Sequence, residues 1–167
     1  YVGMSFVFSI AAAGLMIVVA AGNDGNANPD AFGAGVDTAG SGAVIIAGSI
    51  DENGAISDFS DRAGGQPDHF LAARGEAICC QYQDGKIFVD ADGFVYLISG
   101  TSFAAPQIAG AAALLAQAFP NLTGKQIADI LLRSAFDAGT AGTDTTYGRG
   151  ILDIARAFQP LGTTSLA

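Results

Sequence analysis

Residues 100–106, which read Gly-Thr-Ser-Phe-Ala-Ala-Pro, contain the best candidate for nucleophilic chemistry. A β-rich stretch precedes them and a long apolar segment follows, which places Ser102 at a strand-to-helix junction, at the positive end of a helix dipole. First-turn amides have no helical partner, which also makes Pro106 tolerable. Such amides can bind the oxyanion that forms when a serine attacks an ester or amide. Taken alone, however, Gly-Thr-Ser is more typical of a helix cap than of a nucleophile.

A second segment, residues 18–25, reads Val-Val-Ala-Ala-Gly-Asn-Asp-Gly. Its apolar run predicts a buried strand that ends at Asn23, an asparagine between Gly22 and Gly25. A side-chain amide at the carboxyl end of a strand is a suitable hydrogen-bond donor to a developing oxyanion. The alternative is that Asn23 is a turn residue that tolerates a positive φ.

The remaining pattern predicts an α/β protein with a central parallel sheet flanked by helices and a β-hairpin before the Ser102 helix. Residues 1–23 carry no charge, but Gly14 divides them, so a helix followed by a strand is favoured over a membrane span or a signal peptide. The helix at 102–119 is apolar nearly all round, which predicts burial on every side. Strands are predicted at 15–21, 43–50, 70–73 and 76–82, hairpin strands at 86–89 and 94–98, a loop at 23–42, and helices at 1–13, 102–119, 123–134 and 150–158.

The composition excludes several classes of protein. The chain has 167 residues, 16 acidic and 7 basic, and no basic cluster, which argues against a nucleic-acid partner. Cys79 and Cys80 are adjacent, and a bridge between neighbours is strained, so two thiols on opposite faces of a strand are predicted. No Cys/His set has zinc-site spacing. The acidic turns at 51–54 and 90–93 lack the spacing of an EF-hand, and the glycine-containing segment 33–38 is not flanked as a dinucleotide loop would be.

Together the two chemical segments resemble the subtilisin family of serine proteases. That family has the motif Gly-Thr-Ser-x-Ala-x-Pro before a small-residue helix, matched by residues 100–115, and an asparagine after Ala-Ala-Gly, matched by Asn23. Residues 47–49, 57–60 and 147–153 match further family segments. The resemblance implies a subtilisin-like α/β fold and peptide-bond hydrolysis through an acyl-enzyme. Ser102 would be the nucleophile, with Asn23 in the oxyanion hole. The residues implied to line the substrate pocket are Ala20, Ala21, Gly22, Gly100 and Thr101.

The resemblance also has departures and gaps. Gln107 stands where the family usually has a noncatalytic histidine, and Arg74 stands where proline is usual. The family's catalytic aspartate and histidine precede the serine, so both are expected upstream of residue 1. The single histidine, His69, lacks the Gly-Thr pair that follows the family's base, and its position matches a structural strand. Residues 1–167 are therefore expected to be the C-terminal portion of one subtilisin-like peptidase domain.

Further expectations follow from the same resemblance. The partners would be a protein or peptide substrate and the upstream half of the domain, and the isolated chain would be inactive and prone to self-association. Secretion or a cell-surface location is implied by family habit alone. No redox cofactor or catalytic metal is implied; the family often binds calcium, but no calcium site is identifiable in this sequence. The alternative is a catalytically inactive domain that serves binding or structure.

Overall fold

The computed structural model describes residues 9–160, and the first eight residues of the predicted N-terminal helix lie outside that range. Its central feature is a sheet of three parallel strands in the spatial order β1–β2–β3. These strands are β1 (Ile17–Ala20), β2 (Val44–Ile50) and β3 (Phe70–Arg74). The helices are α1 (Ala31–Ala39), α2 (Thr101–Ala118), α3 (Gly124–Ser134) and α4 (Ile154–Ala157). The predicted α/β class is thereby confirmed.

Strand β2 lies at the centre of the core, and all seven of its residues are buried. Successive side chains of a strand point to opposite faces, so β2 and β3 contribute to a separate apolar cluster on each side. Ile45 and Leu71 pack with α2 and α3 on one face, while Ile46 and Phe70 pack with Val36 of α1 on the other. Burial on both faces explains why β2 reads as a continuous apolar run instead of an alternating one.

Helix α1 lies inside the stretch predicted to be a loop, so that prediction is wrong. Asp30 caps the helix, and its side chain accepts a hydrogen bond from the amide of Gly33. Glycines 33 and 35 lower the local helix propensity and conceal the helix in the sequence. The cap and the burial of Val36 compensate for them. Residues 33–38 therefore lie within a helix rather than in a dinucleotide-binding loop.

Helix α2 begins and ends within one residue of its prediction, but it is not buried on every side. One face is buried, including Ile108 and Leu115, whereas Leu114 on the other side is 49% exposed. The exposed side carries small residues such as Ala109 and Ala113. Alanine is apolar but is also a strong helix former, so composition alone could not separate the two faces.

The region before α2 is more broken than predicted. The predicted strand 76–82 is divided into β4 (Ile78–Cys79) and β5 (Tyr82–Gln83), and the first pairs with β7 (Leu97–Ile98), the second with β6 (Lys86–Ile87). The predicted hairpin strands at 86–89 and 94–98 pair with each other through a single antiparallel bridge, between Val89 and Val95, on either side of the turn at 90–93. Cys79 and Cys80 form a disulfide across a cis peptide bond, so the prediction of two thiols on opposite faces is wrong. A cis bond brings adjacent Cα atoms closer than a trans bond does, and this distance is 3.0 Å here.

The C-terminal helices differ in how well the sequence predicted them. Thr123 and Gln126 form the predicted capping box at the start of α3. Helix α4 is shorter than the predicted 150–158, because Ile151 is extended and bridges both Ala72 and Phe136. Within residues 9–160, no helix combines the length and the apolar character needed to cross a bilayer.

Candidate active site at the carboxyl edge of the sheet

Ser102 is the second residue of α2, and it is exposed. The chain reaches it from Gly100, whose amide donates to the carbonyl of Gly75 at 2.8 Å, directly after β3. The N-terminus of α2 is thus fixed at the carboxyl edge of the parallel sheet, where open α/β sheets bind their ligands. The Ser102 amide lies in the first turn, so it has no partner within the helix and is free to donate to a ligand.

Asn23 follows β1 at the same edge, and its side-chain oxygen is anchored to the start of α2. The Oδ1 atom accepts hydrogen bonds from the Thr101 amide at 2.8 Å and from the Thr101 hydroxyl at 3.0 Å. A backbone amide can only donate, so the Asn23 atom facing it must be the oxygen. The Nδ2 group therefore points elsewhere, and it has no hydrogen-bond partner among residues 9–160. An anchored asparagine with free Nδ2 protons is suited to donate to an anion beside Ser102.

The five residues predicted to line the substrate pocket lie around this junction. Ala20 ends β1, and Ala21 and Gly22 follow it, while Gly100 and Thr101 begin α2. The Thr101 hydroxyl also donates to the carbonyl of Gly22 at 3.3 Å, and this bond joins the segment after β1 to the start of α2. Ala21 and Thr101 are fully buried and support the junction from beneath. Their contact with a substrate stays a prediction.

Two residues of this edge were missed by the sequence reasoning. Asp61 is fully buried and binds the turn that carries Asn23 through two backbone amides. Gly75 lies so close to its neighbours that a Cβ there would be 2.6 Å from both the Gly100 carbonyl and the Ser49 hydroxyl. The only local signals were a glycine after a strand and an aspartate within a short polar segment. Neither signal identifies its distant partner.

His69 lies at the amino ends of the parallel strands, whereas Ser102 lies at their carboxyl ends. It precedes β3, whereas Gly75, which binds Gly100, follows it. The separation from His69 to Gly75 is about 20 Å at roughly 3.3 Å per residue. A general base must come within hydrogen-bond reach of its nucleophile, about 3 Å. The structure therefore does not bring His69 to Ser102.

His69 is instead paired with Asp37 of α1. Its Nδ1 atom lies 2.6 Å from Asp37 Oδ1, and this carboxyl is only 9% exposed. The hydrogen bond to Asp37 raises the pKa of His69 above its ordinary value, with a further contribution from the charge of Asp68. Partial burial and the charge of Lys125 act in the opposite direction. The pair joins α1 to the start of β3.

We expect the His69–Asp37 pair to make stability depend on pH. Because the pKa of His69 is raised on folding, its stabilisation is complete below the unfolded value of about 6.5 and is lost as the pH rises through the folded value. The pair is partly exposed, so solvent screening keeps the change to about 1 kcal/mol or less. Urea unfolding of the wild type and His69→Gln from about pH 5 to 9 measures it. The free energy of unfolding should fall with pH more steeply in the wild type, and parallel curves would contradict the assignment.

The two acidic turns bind their own backbone. Asp51 accepts from the amides of Asn53 and Ala55, and Asp90 accepts from those of Asp92 and Phe94. These bonds help to lower the pKa of both carboxyls; at Asp90 the largest contribution is the Tyr96 hydroxyl, which donates at 2.6 Å. Within residues 9–160, no group of three or more His, Cys, Asp or Glu side chains is arranged to hold a metal ion.

The fold and site define a class: a parallel α/β protein with a helix-terminal serine and an anchored asparagine at the carboxyl edge of its sheet. A family model described as Peptidase_S8, the subtilase family, matches residues 4–150. The chain belongs to the subtilase family.

Individual relatives agree with this assignment. Mycosin-1 of Mycolicibacterium smegmatis is 36% identical over 172 residues, which cover 90% of this chain and 37% of that protein. Subtilisin DY of Bacillus licheniformis is 29% identical over 151 residues, covering 89% and 48%. The structure of the self-cleaved protease domain of PatA has a TM-score of 0.70 and 27% identity, covering 93% of this chain and 53% of that one. The chain thus spans about half, or less, of the length of these relatives.

Proposed function

We propose that this chain is the C-terminal portion of a subtilisin-like serine endopeptidase domain. Ser102 attacks the carbonyl carbon of a peptide bond while a base takes its hydroxyl proton; the C–N bond then breaks and the amine leaves with that proton. Water hydrolyses the resulting acyl-enzyme and frees Ser102. The Ser102 amide and the Asn23 Nδ2 group donate to the oxyanion of each tetrahedral intermediate. The observation that carries the proposal is the anchoring of Asn23 Oδ1 to the Thr101 amide, which leaves Nδ2 free at the start of the helix that carries Ser102.

The base that activates Ser102 is proposed to lie in an upstream half of the same domain. A serine at its ordinary pKa is a weak nucleophile and needs an adjacent base. His69, the single histidine of the chain, is at the opposite, amino-terminal end of the parallel strands. In the subtilisin order, an aspartate and then a histidine precede the serine, and the relatives have the additional length to contain them.

The surface left open beside α2 supports this arrangement. Among the described residues, β1 pairs only with β2, so its other edge is available to a further strand. Next to it is an open apolar cavity of about 560 Å³, and Leu15 on its rim is 58% exposed. The walls come from the start of β1, the exposed side of α2 and the start of α3, and include Met16, Val18, Pro106, Ala109, Ala112 and Leu122. We propose that the upstream half covers this cavity.

The substrate is proposed to be a protein or peptide chain, because the family cleaves peptide bonds. The proposed chemistry uses a serine, a histidine, an aspartate and hydrogen-bond donors, so it requires neither a redox cofactor nor a catalytic metal. Calcium in a supporting role remains a proposal without an assigned site. A secreted or cell-surface location is proposed from the family resemblance alone.

A fluorophosphonate probe applied to the full-length protein that contains this chain tests the proposed function. The probe reacts with activated serines, so it should label Ser102 covalently, and the labelled peptide can be identified by mass spectrometry. The alternative, a catalytically inactive binding or structural domain, predicts no labelling despite a folded protein. Absence of an upstream aspartate or histidine in the parent sequence would favour that alternative.

The isolated chain should show no proteolysis above background. Without an adjacent base Ser102 is not activated, and the open edge of β1 with its apolar cavity should promote self-association. Purified residues 1–167 are assayed on a denatured protein substrate, and their mass in solution is measured by light scattering. Adding the upstream half should suppress association and restore hydrolysis. A monomer with Ser102-dependent hydrolysis would show that the chain needs no upstream half.

A further inference from the structure

Asp61 lies directly beneath the turn that carries Asn23. It is fully buried, and its Oδ1 atom accepts hydrogen bonds from the amides of Asp24 at 3.2 Å and Asn26 at 2.7 Å. Its own amide donates to the carbonyl of Gly22 at 3.1 Å. One residue therefore binds the backbone immediately before and immediately after Asn23.

The segment containing Asp61 is itself held firmly against the core. The Ser49 amide of β2 donates to the Ser60 hydroxyl at 3.0 Å, and the hydroxyls of Ser49 and Ser57 lie 2.9 Å apart. The Arg62 guanidinium donates to the carbonyls of Ser57 and Ser60 and closes the turn. These hydrogen bonds attach the segment that contains Asp61 to the central strand β2. Asp61 can therefore act as a rigid support for the Asn23 turn.

The second carboxyl oxygen of Asp61 makes no hydrogen bond within residues 9–160, although it is buried. It packs against Gly22, where a Cβ would lie 2.2 Å from it, and Gly22 has a φ of 114°. A buried polar atom without a partner is costly. A carboxyl at this position therefore has a cost in folding stability. We infer that its two bonds to the Asn23 turn serve the geometry of that turn and not stability alone.

We propose that Asp61 is a positioning residue that holds the Asn23 side chain in register with Ser102. This inference rests on the proposed function, because it requires Asn23 to be an oxyanion donor. The Thr101 amide fixes the end of the Asn23 side chain, and Asp61 fixes its backbone. With both fixed, the direction of the Nδ2 protons is set before substrate binds. Preorganised donors of this kind need no rearrangement when the oxyanion forms.

The test compares Asp61→Ala and Asp61→Asn in the full-length protein, with Asp58→Ala as the matched control. Asp58 is an exposed carboxylate three residues earlier on the same segment. Asp61→Ala should lower kcat about 10- to 100-fold with little change in KM, since small misplacements of catalytic groups carry costs of this order. Asp61→Asn retains an oxygen for the two amides and should retain most of the kcat. Asp58→Ala should behave as the wild type.

A double-mutant cycle with Asn23→Ala separates positioning from general stability. If Asp61 acts through Asn23, then Asp61→Ala should cost little further kcat once Asn23 is alanine. Independent, multiplicative losses would overturn the inference, as would a lowered Tm with unchanged kcat. If Asn23→Ala alone leaves kcat unchanged, the proposed function fails instead. Should Asp61→Ala not fold, Asp61→Ser, whose side chain is too short to reach both amides, is expected to show the same kcat loss, and an unchanged kcat there overturns the inference.

Discussion

Replacing Ser102 with alanine should abolish covalent labelling of the full-length protein by a fluorophosphonate and reduce kcat by about 10⁶-fold, the value for the nucleophile of subtilisin itself. The exposed Ser102 hydroxyl makes no hydrogen bond among residues 9–160, so its removal breaks no structural contact. Folding should therefore be nearly unchanged. Labelling is read by gel and by intact mass, peptide hydrolysis by initial rates, and folding by thermal unfolding.

Ser99→Ala is the matched control for this experiment. Ser99 is an exposed serine three residues earlier, and its hydroxyl accepts a hydrogen bond from the Ala77 amide. This variant should label at the wild-type rate, even if its stability falls by about 1 kcal/mol from the lost bond. Labelling of Ser102→Ala at the wild-type level would remove Ser102 from the nucleophile role, and loss of labelling in both variants would show that the loss is not specific to Ser102.

Features encoded by contiguous residues could be predicted from the sequence. The strand before Asn23, the strand-to-helix junction at Ser102 and the Thr123 capping box each depend on neighbours within a few positions. In such cases the residue types themselves determine the local backbone, through apolar runs, capping side chains and glycine. For this reason the two chemical segments were recognisable before their spatial proximity was known.

Features that depend on distant contacts could not be predicted. Helix α1 was missed because its stability comes from an aspartate cap and from burial of Val36, which outweigh two glycines. The one-sided burial of α2 depends on which elements pack against it, and alanine provides no signal of that. Asp61 binds a turn 35 to 37 residues away, and no spacing rule reports such a pair. Tertiary packing decides all three features.

Replacing Asn23 with alanine in the full-length protein should lower kcat by about 10²- to 10³-fold with little change in KM, a range taken from the oxyanion asparagine of subtilisin itself. The loss should fall on kcat because, in the proposed role, the Nδ2 group donates to a charge that exists only in the transition state and intermediates. Initial rates over a range of peptide concentrations separate kcat from KM. A variant that raised only KM would assign Asn23 to the turn rather than to the chemistry.

Asn23→Asp makes the same test sharper, because it removes the donor and keeps the anchor. Aspartate still offers an oxygen to the Thr101 amide, so the contact at 2.8 Å can persist, while the free Nδ2 protons are replaced by a second oxygen. That oxygen would repel the oxyanion, so kcat should fall at least as far as in Asn23→Ala. Asn26→Ala, on the same turn, should retain kcat, because Asn26 binds Asp61 and Arg62 only through its backbone. Activity in Asn23→Asp close to the wild type would show that the proposed reaction requires the anchored oxygen of this residue and not its donor group.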